Sequence, residues 1–247
     1  MRIIFAVLTL LVVAKAQVLS GVLSSSGSSG PAPPTYIYHA DSTWNCSVSS
    51  QSCSITKAVT VGWALVASCV ATGTGGSITI SDDKGNTWND EVLNTSSATQ
   101  FGDTFDANVG SAVGHGFTTI TCSASGSVTA VTMLVDAWES STGWQNGPGG
   151  EPADQDGGYG DNNGASSSCD SSPSTTTSQT YELAVGQCLY TGAQPTVSSP
   201  FTVGQTNSGS TTGITGYEAL TTRSAPEFET TGTLTIWQAF LLSLRPN

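Results

Sequence analysis

Carboxylates are the side chains with which this chain could most readily do chemistry. Glu139, Glu151, Glu182, Glu218, Glu227 and Glu229 are spread over its second half. Hydrolysis of a glycosidic bond needs two such groups, about 5–5.5 Å apart for retention and farther for inversion. Glu227 and Glu229 flank Phe228, so on a strand they would share one face about 7 Å apart. Pro226 precedes them and no hydrolase motif surrounds them, so a solvated strand face is the better reading. The two histidines, His39 and His115, lie in neither a G-x-S-x-G nor an H-E-x-x-H context. Nucleophilic or zinc chemistry therefore has no recognisable centre, and His115, in Gly-His-Gly-Phe, is expected at the start of a strand.

Ligand binding is the second kind of chemistry, and the segment 139–179 is its natural place. It far exceeds the roughly 2–6 residues that usually join elements. Asp154, Asp156 and Asp161 lie there among glycines, offering calcium several hard oxygens on a chain that can bend sharply. The D-x-D-G-x-x-x-D spacing is not that of an EF-hand loop, and a solvated acidic loop is preferred over a calcium site. Trp144, Tyr159 and Trp44 sit in Gly-, Ser- and Asn-rich surroundings. Flat rings of this kind stack on a pyranose while polar neighbours bind its hydroxyls. For Trp144, sugar binding and simple loop packing are equally good expectations; Trp63, Trp138 and Trp237 lie in strand patterns and are assigned to the core.

Such residues need a scaffold, and the chain ends bound what it is. Residues 1–16 read as an export signal, with a basic start at Met1-Arg2, an apolar run from Ile3 to Val13 and an Ala14-Lys15-Ala16 cleavage site. The apolar run is shorter than the about 20 residues of a membrane span, so the mature chain is expected to be secreted and free of the membrane. Residues 17–35 have the Ser/Gly/Pro composition of a linker, and 36–247 are expected to form one domain. The net charge is −12, and loss of Arg2 and Lys15 leaves four cations against 18 acids, or −14. Phosphate recognition needs clustered Lys and Arg, which argues against nucleic acid and polyanionic glycans. A neutral carbohydrate, a divalent cation or another cell-surface component remains open. Cys46, Cys53, Cys69, Cys122, Cys169 and Cys188, behind an export signal, point to disulfides. The preferred pairing joins Cys46 to Cys53 across a short loop, Cys69 to Cys122 between strands, and Cys169 to Cys188 around the long segment.

The hydrophobic pattern has a period of two. Val59, Val61, Trp63, Leu65, Ala67 and Cys69 share one face of Val59–Ala71, predicting one strand with one buried side. Thr233–Leu244 does the same through Leu234, Ile236, Phe240, Leu242 and Leu244, and Tyr181–Val185 alternates as well. Val128–Trp138 is apolar on both faces, as a central strand should be. Turn formers lie between these runs, and no stripe of helical period occurs. The expected class is all-β: a two-sheet antiparallel β-sandwich of jelly-roll type. A propeller would require an internal repeat, and none is found.

One octapeptide, Ser81-Asp82-Asp83-Lys84-Gly85-Asn86-Thr87-Trp88, fits S-x-D-x-G-x-T-W and resembles the Asp-box hairpin of sialidases and other secreted β-proteins. Asp83 is expected to accept backbone N–H groups across the turn, Gly85 to supply a positive φ, and Trp88 to bury its ring. The sialidase resemblance implies three arginines around a carboxylated sugar, whereas the mature chain holds only Arg223 and Arg245 and a single such box. The motif therefore reads as a hairpin and not as a hydrolase. The succession of Val59–Val70, Asp83–Trp88, Gly114–Thr118 and Trp237–Leu241 is similar to an uncharacterised class of secreted bacterial β-sandwich modules attached to exported enzymes and surface proteins. That resemblance implies a sandwich with a binding or adhesive role and no transferable catalytic residue. The expectation is a secreted, non-catalytic binding or adhesion module for neutral carbohydrate at a surface. The alternatives are a polysaccharide-degrading glycoside hydrolase and a structural matrix component.

Overall fold

A computed structural model describes residues 32–92, 99–110, 114–146, 150–155, 158–162, 164–207 and 212–247. The expected export signal and nearly all of the linker lie outside them, and Pro33–Asn247 forms one compact unit. Every regular element among the described residues is a strand. The first nine are β1 (Tyr36–Tyr38), β2 (Asn45–Val48), β3 (Ser52–Val59), β4 (Ala64–Thr74), β5 (Ile78–Asp82), β6 (Asn89–Val92), β7 (Gln100–Asn108), β8 (Gly116–Ala124) and β9 (Ser127–Ser140). The others are β10 (Ala153–Gln155), β11 (Tyr159–Asn162), β12 (Ser166–Asp170), β13 (Leu183–Gly192), β14 (Thr196–Val197), β15 (Thr202–Asn207), β16 (Thr212–Ala219) and β17 (Glu229–Leu244).

The strands pair antiparallel into three sheets. A middle sheet has the order β1-β9-β4-β7-β6, with β2 also on β9. An outer sheet, β3-β8-β5, covers one of its faces: Cys53, Ile55, Ile78, Ile120 and Cys122 share a core with Leu65, Ala67, Cys69 and Ala71. A third sheet, centred on β17 and β13, covers the other face through Val185, Leu189, Phe240 and Leu242. The antiparallel sandwich expected from alternation is thus present, with a third layer added to the expected two.

Several expectations change in detail. Val59–Ala71 is two strands, because a turn at Thr60–Trp63 with Gly62 at φ 87° separates β3 from β4. β4 is buried on both sides, since the odd residues face the outer sheet and Ala64, Val66 and Val70 face the third. Val128–Trp138 is a central strand, as expected. In β17 a bulge opposite Thr191/Gly192 shifts the register, so Leu234 joins the core on the far side of its sheet from Phe240 and Leu242. The segment 139–179 contains β10, β11 and β12, each laid against β17. They cover one long edge of that 16-residue strand, which would otherwise present unpaired N–H and C=O groups.

Polar residues fasten the middle sheet to the third. The fully buried Asp136 accepts hydrogen bonds from Tyr38 Oη at 2.6 Å, Gln187 Nε2 at 2.6 Å and Gln205 Nε2 at 3.2 Å. Ser68 Oγ donates to Gln187 Oε1 and lies 2.6 Å from Thr104 Oγ1. Cys46–Cys53 and Cys169–Cys188 are disulfides. The remaining expected pair, Cys69 and Cys122, carries no S–S bond in the structure; the two thiols are in hydrogen-bond contact across the apolar space between the middle and outer sheets.

On the far face of the third sheet, Gly186 and Gly216 are cross-strand partners, and together they make room for the buried ring of Phe228. A Cβ at Gly186 would lie 2.1 Å from Phe228 Cγ, and one at Gly216 would lie 2.8 Å from the same ring. Gly186→Ala is expected to destabilise the fold by roughly 1–3 kcal/mol, the usual cost of overpacking. An unchanged urea midpoint would show that the ring moves aside freely.

Candidate functional site

The outer sheet buries one face and shows the other to solvent. Alternation along β3, β8 and β5 sends Cys53, Ile55, Val59, Thr118, Ile120, Cys122 and Ile78 inward. Outward go Ser52, Ser54 and Thr56 on β3, Thr119, Thr121 and Ser123 on β8, and Thr79 and Ser81 on β5. Register sets them in rows: Ser52 beside Ser123 beside Thr79, then Ser54 beside Thr121 beside Ser81, then Thr56 beside Thr119. The next row pairs Ala58 with Phe117, whose ring is 76% exposed. Neighbouring strands lie about 4.8 Å apart and successive outward residues on one strand about 7 Å apart. Ser54 Oγ lies 2.8 Å from Thr121 Oγ1, and Thr56 Oγ1 lies 3.0 Å from Thr119 Oγ1. The hydroxyls are therefore held in place before any ligand arrives. Within the strands no outward residue of these rows carries a charge, although the chain as a whole carries −12; Asp83, just past the end of β5, adds one carboxylate at the margin beside Thr119.

The Asp-box-like hairpin fixes one end of this face. Asp82, not Asp83, holds the turn: its carboxylate accepts from Lys84 N at 2.8 Å, Asn86 N at 3.2 Å, Asn86 Nδ2 at 3.0 Å and Trp88 Nε1 at 2.8 Å. Asp83 reaches the neighbouring strand instead and accepts from Thr119 N at 2.8 Å. The reason is that Asp82 is an inward position of β5 and Asp83 an outward one. Gly85 has the expected positive φ of 75°, and Trp88 packs partly buried on the core. Asn86 in turn donates to Gly114 O at 3.0 Å and accepts from Gly110 N at 3.1 Å. It thereby anchors the Gly-His-Gly entry to β8, where Gly116 at φ 91° precedes Phe117. His115 is exposed beside that strand start, as expected.

The aromatic residues expected to bind sugar do not form an open platform. Trp144 is 1% exposed and stacks on Tyr36 with ring centroids 5.9 Å apart. Trp44 is buried beneath Lys57, whose Nζ sits 5.6 Å from its ring centroid. Tyr159 is half-buried against Phe240 at 5.6 Å. Each packs because its segment is pressed onto a sheet and is not looped into solvent. Nor are Asp154 and Asp161 brought together. Asp154 flanks the Leu244/Ser243 end of β17 and Asp161 pairs with Gln238, a separation of roughly 18 Å along the strand. Asp154 is engaged by Arg245 Nη1 at 3.4 Å and Ser178 N at 2.5 Å. Asp156 lies outside the described residues. Among the described residues, no three His, Cys, Asp or Glu side chains converge as metal ligands.

Acids do meet, a buried one against an exposed one, but in contact and not across a cleft. Asp103 is hydrogen-bonded to Asp90, and burial, with the Asp90 charge, pushes its carboxyl up to about 8. Two carboxyls in contact leave no room for the sugar that a glycosidase holds between groups about 5 Å or more apart. Burial likewise raises Asp136 and Asp106 to about 6 and Glu182, beside Asp154, to about 7. Glu227 and Glu229 both point to solvent while Phe228 between them is buried, as the solvated-face reading requires. His39 stacks on Trp63 at 3.8 Å and bonds Glu139 at 3.0 Å.

The outward rows were overlooked in the sequence, although the signal was there: S-C-S-I-T-K-A and F-T-T-I-T-C-S alternate hydroxyls with core residues. No family model, curated protein or solved structure matches the chain.

Two outcomes follow from this geometry. Asp82→Ala strips four donors of their acceptor and is expected to cost about 2 kcal/mol or more, well above the cost of Asp83→Ala, in urea unfolding of both variants. Equal costs would return the turn to Asp83. The second concerns pH. A carboxyl whose folded value stands above its unfolded one, near 4, binds its proton more tightly in the native state. Its stabilising effect is complete below about pH 4 and is lost as pH rises through its folded value. The melting temperature is therefore expected to fall between about pH 5 and about pH 9, by about 2–4 °C for each kcal/mol in a chain of this size. Asp136→Asn should flatten the part of that slope near pH 6. A melting temperature that climbs with alkalinity would contradict the assignment.

Proposed function

We propose that the protein is a secreted, non-catalytic binding or adhesion module that engages neutral carbohydrate at a surface, and that it does so through the exposed face of β3, β8 and β5. The observation that carries this reading is the array of fixed hydroxyls beside the exposed ring of Phe117. An aromatic ring offers the apolar face of a pyranose a stacking partner, and hydroxyls both donate to and accept from sugar hydroxyls. Because the hydroxyls are already bonded in cross-strand pairs, little ordering is required on binding. A chain this acidic would repel anionic glycans, whereas a neutral polymer would meet the hydroxyl rows, with one carboxylate, Asp83, at their margin. Two disulfides, and the absence among the described residues of a helix long and apolar enough to cross a membrane, are compatible with life outside the cell.

The test is a binding panel of neutral polysaccharides, soluble and insoluble, with wild type, Phe117→Ala and Thr121→Lys. Wild type should be retained on at least one polymer. Both variants should lose affinity at least about tenfold, equivalent to ~1.4 kcal/mol, while melting within about a degree or two of wild type. Undiminished binding by both variants would move the site elsewhere. Release of reducing sugar by wild type would replace the reading with a hydrolase.

A further inference from the structure

The cysteines of the middle and outer sheets are aligned in two facing rows. Cys46 on β2 and Cys69 on β4 both register with Met133 of β9, one from each side. Cys53 on β3 and Cys122 on β8 register with each other. The first rung between the rows, Cys46–Cys53, is bonded, with Cα atoms 6.0 Å apart. The second, Cys69 with Cys122, is a pair of thiols in hydrogen-bond contact, both wholly buried in the same core.

We propose that Cys69 and Cys122 close into a disulfide when the chain folds under oxidising conditions, forming a second rung parallel to Cys46–Cys53. The competing arrangement would pair Cys53 with Cys122 along the outer row and leave Cys46 to join Cys69. Those two stand on opposite sides of β9, two strand spacings or roughly 10 Å apart, beyond the about 7 Å between Cα atoms that a disulfide tolerates. Register therefore selects the rungs over the rows.

The chemistry is thiol–disulfide exchange with a disulfide carrier, such as glutathione disulfide or an exported dithiol oxidase. One cysteine thiolate attacks the carrier, forms a mixed disulfide and releases one carrier thiol. The second thiolate attacks the cysteine sulfur of that mixed disulfide, forming the Cys69–Cys122 bond and expelling the second carrier thiol. Two electrons pass to the carrier, and the two cysteine protons end on its thiols. Because the folded core shuts out any carrier, and burial pushes the Cys69 thiol well above its usual range, the exchange belongs to the stage before the outer sheet closes over the middle one.

The experiment takes the full chain, purified without reductant from an oxidising host compartment, unfolds it in acid and denaturant and alkylates every free thiol. A fully reduced sample carries six alkylated cysteines. The expected oxidised sample carries none, and its non-reduced peptide map links Cys69 to Cys122. Cys69→Ser should leave a single alkylated thiol, at Cys122; if that variant does not accumulate, the wild-type map alone decides. The inference is overturned by two alkylated thiols at Cys69 and Cys122, or by a map that joins Cys53 to Cys122.

Discussion

The centre of the middle sheet, residues 64–71 of β4 and 131–138 of β9, has no face toward water, and that constraint governs what surrounds it. β4 and β9 are covered on one side by the β3–β8–β5 sheet and on the other by β13 and β17. Any polar side chain they carry must be answered by a neighbour, because an unpaired buried group costs more than a hydrogen bond returns. Asp136 meets that requirement with hydroxyl and amide donors drawn from four separate segments. In doing so it fixes β1, β13, β15 and β16 relative to β9. The carboxyl is expensive to bury, but it specifies which residues must stand opposite it, and apolar packing alone would leave that choice loose.

The same enclosure explains the acids. With only six Lys and Arg in the whole sequence, most buried carboxyls have no cation to meet. Asp154 has Arg245; Asp103 has another carboxyl, Asp90, and the Thr104 amide; Asp136 has neutral donors. Asp103, Asp106, Asp136 and Glu182 are held toward their protonated forms chiefly by desolvation. Perturbed carboxyls often mark active sites. Here they are packed between sheets or touch another carboxyl, an arrangement that a scaffold accounts for.

How much of this could be read beforehand depended on how local the determining physics was. The strand β9 was legible because residues 131–138 are buried throughout and the chain is correspondingly apolar there. β4 was legible as a strand but not as a central one, because its second buried face uses Ala64 and Ser68, residues too small or polar to announce burial. The strands β10 to β12 were invisible: their Gly, Asp and Ser composition is that of a loop, and only the long edge of β17 supplies the partner that makes them strands. The same non-local fact misdirected the reading of Trp144 and Tyr159. Their flanking residues resemble a binding loop, whereas Tyr36 and Phe240, more than 80 residues away in sequence, receive their rings. The hairpin was legible as a turn, yet two adjacent aspartates could be told apart only once strand parity put Asp82 inside.

What remains for recognition is the surface that packing did not claim. The third sheet spends its outer face on Phe228, Phe201 and Trp237, and the centre of the middle sheet has no outer face to spend. Among the described residues, the outer sheet keeps one face mostly in Ser and Thr, with Ala58 and the exposed Phe117 in its last row. Threonine and serine satisfy β-propensity on a solvated face and could be present for that reason only. Phe117 is the most exposed large hydrophobic residue among those described, and strand formation alone does not require an aromatic ring in water there. Phe117 is moreover held at the entry to β8 by Gly116, and the Asp82 turn fastens that entry through Asn86. The hairpin thus holds one apolar ring in place beside ordered hydroxyls, and it is this juxtaposition on which the proposed sugar-binding role rests.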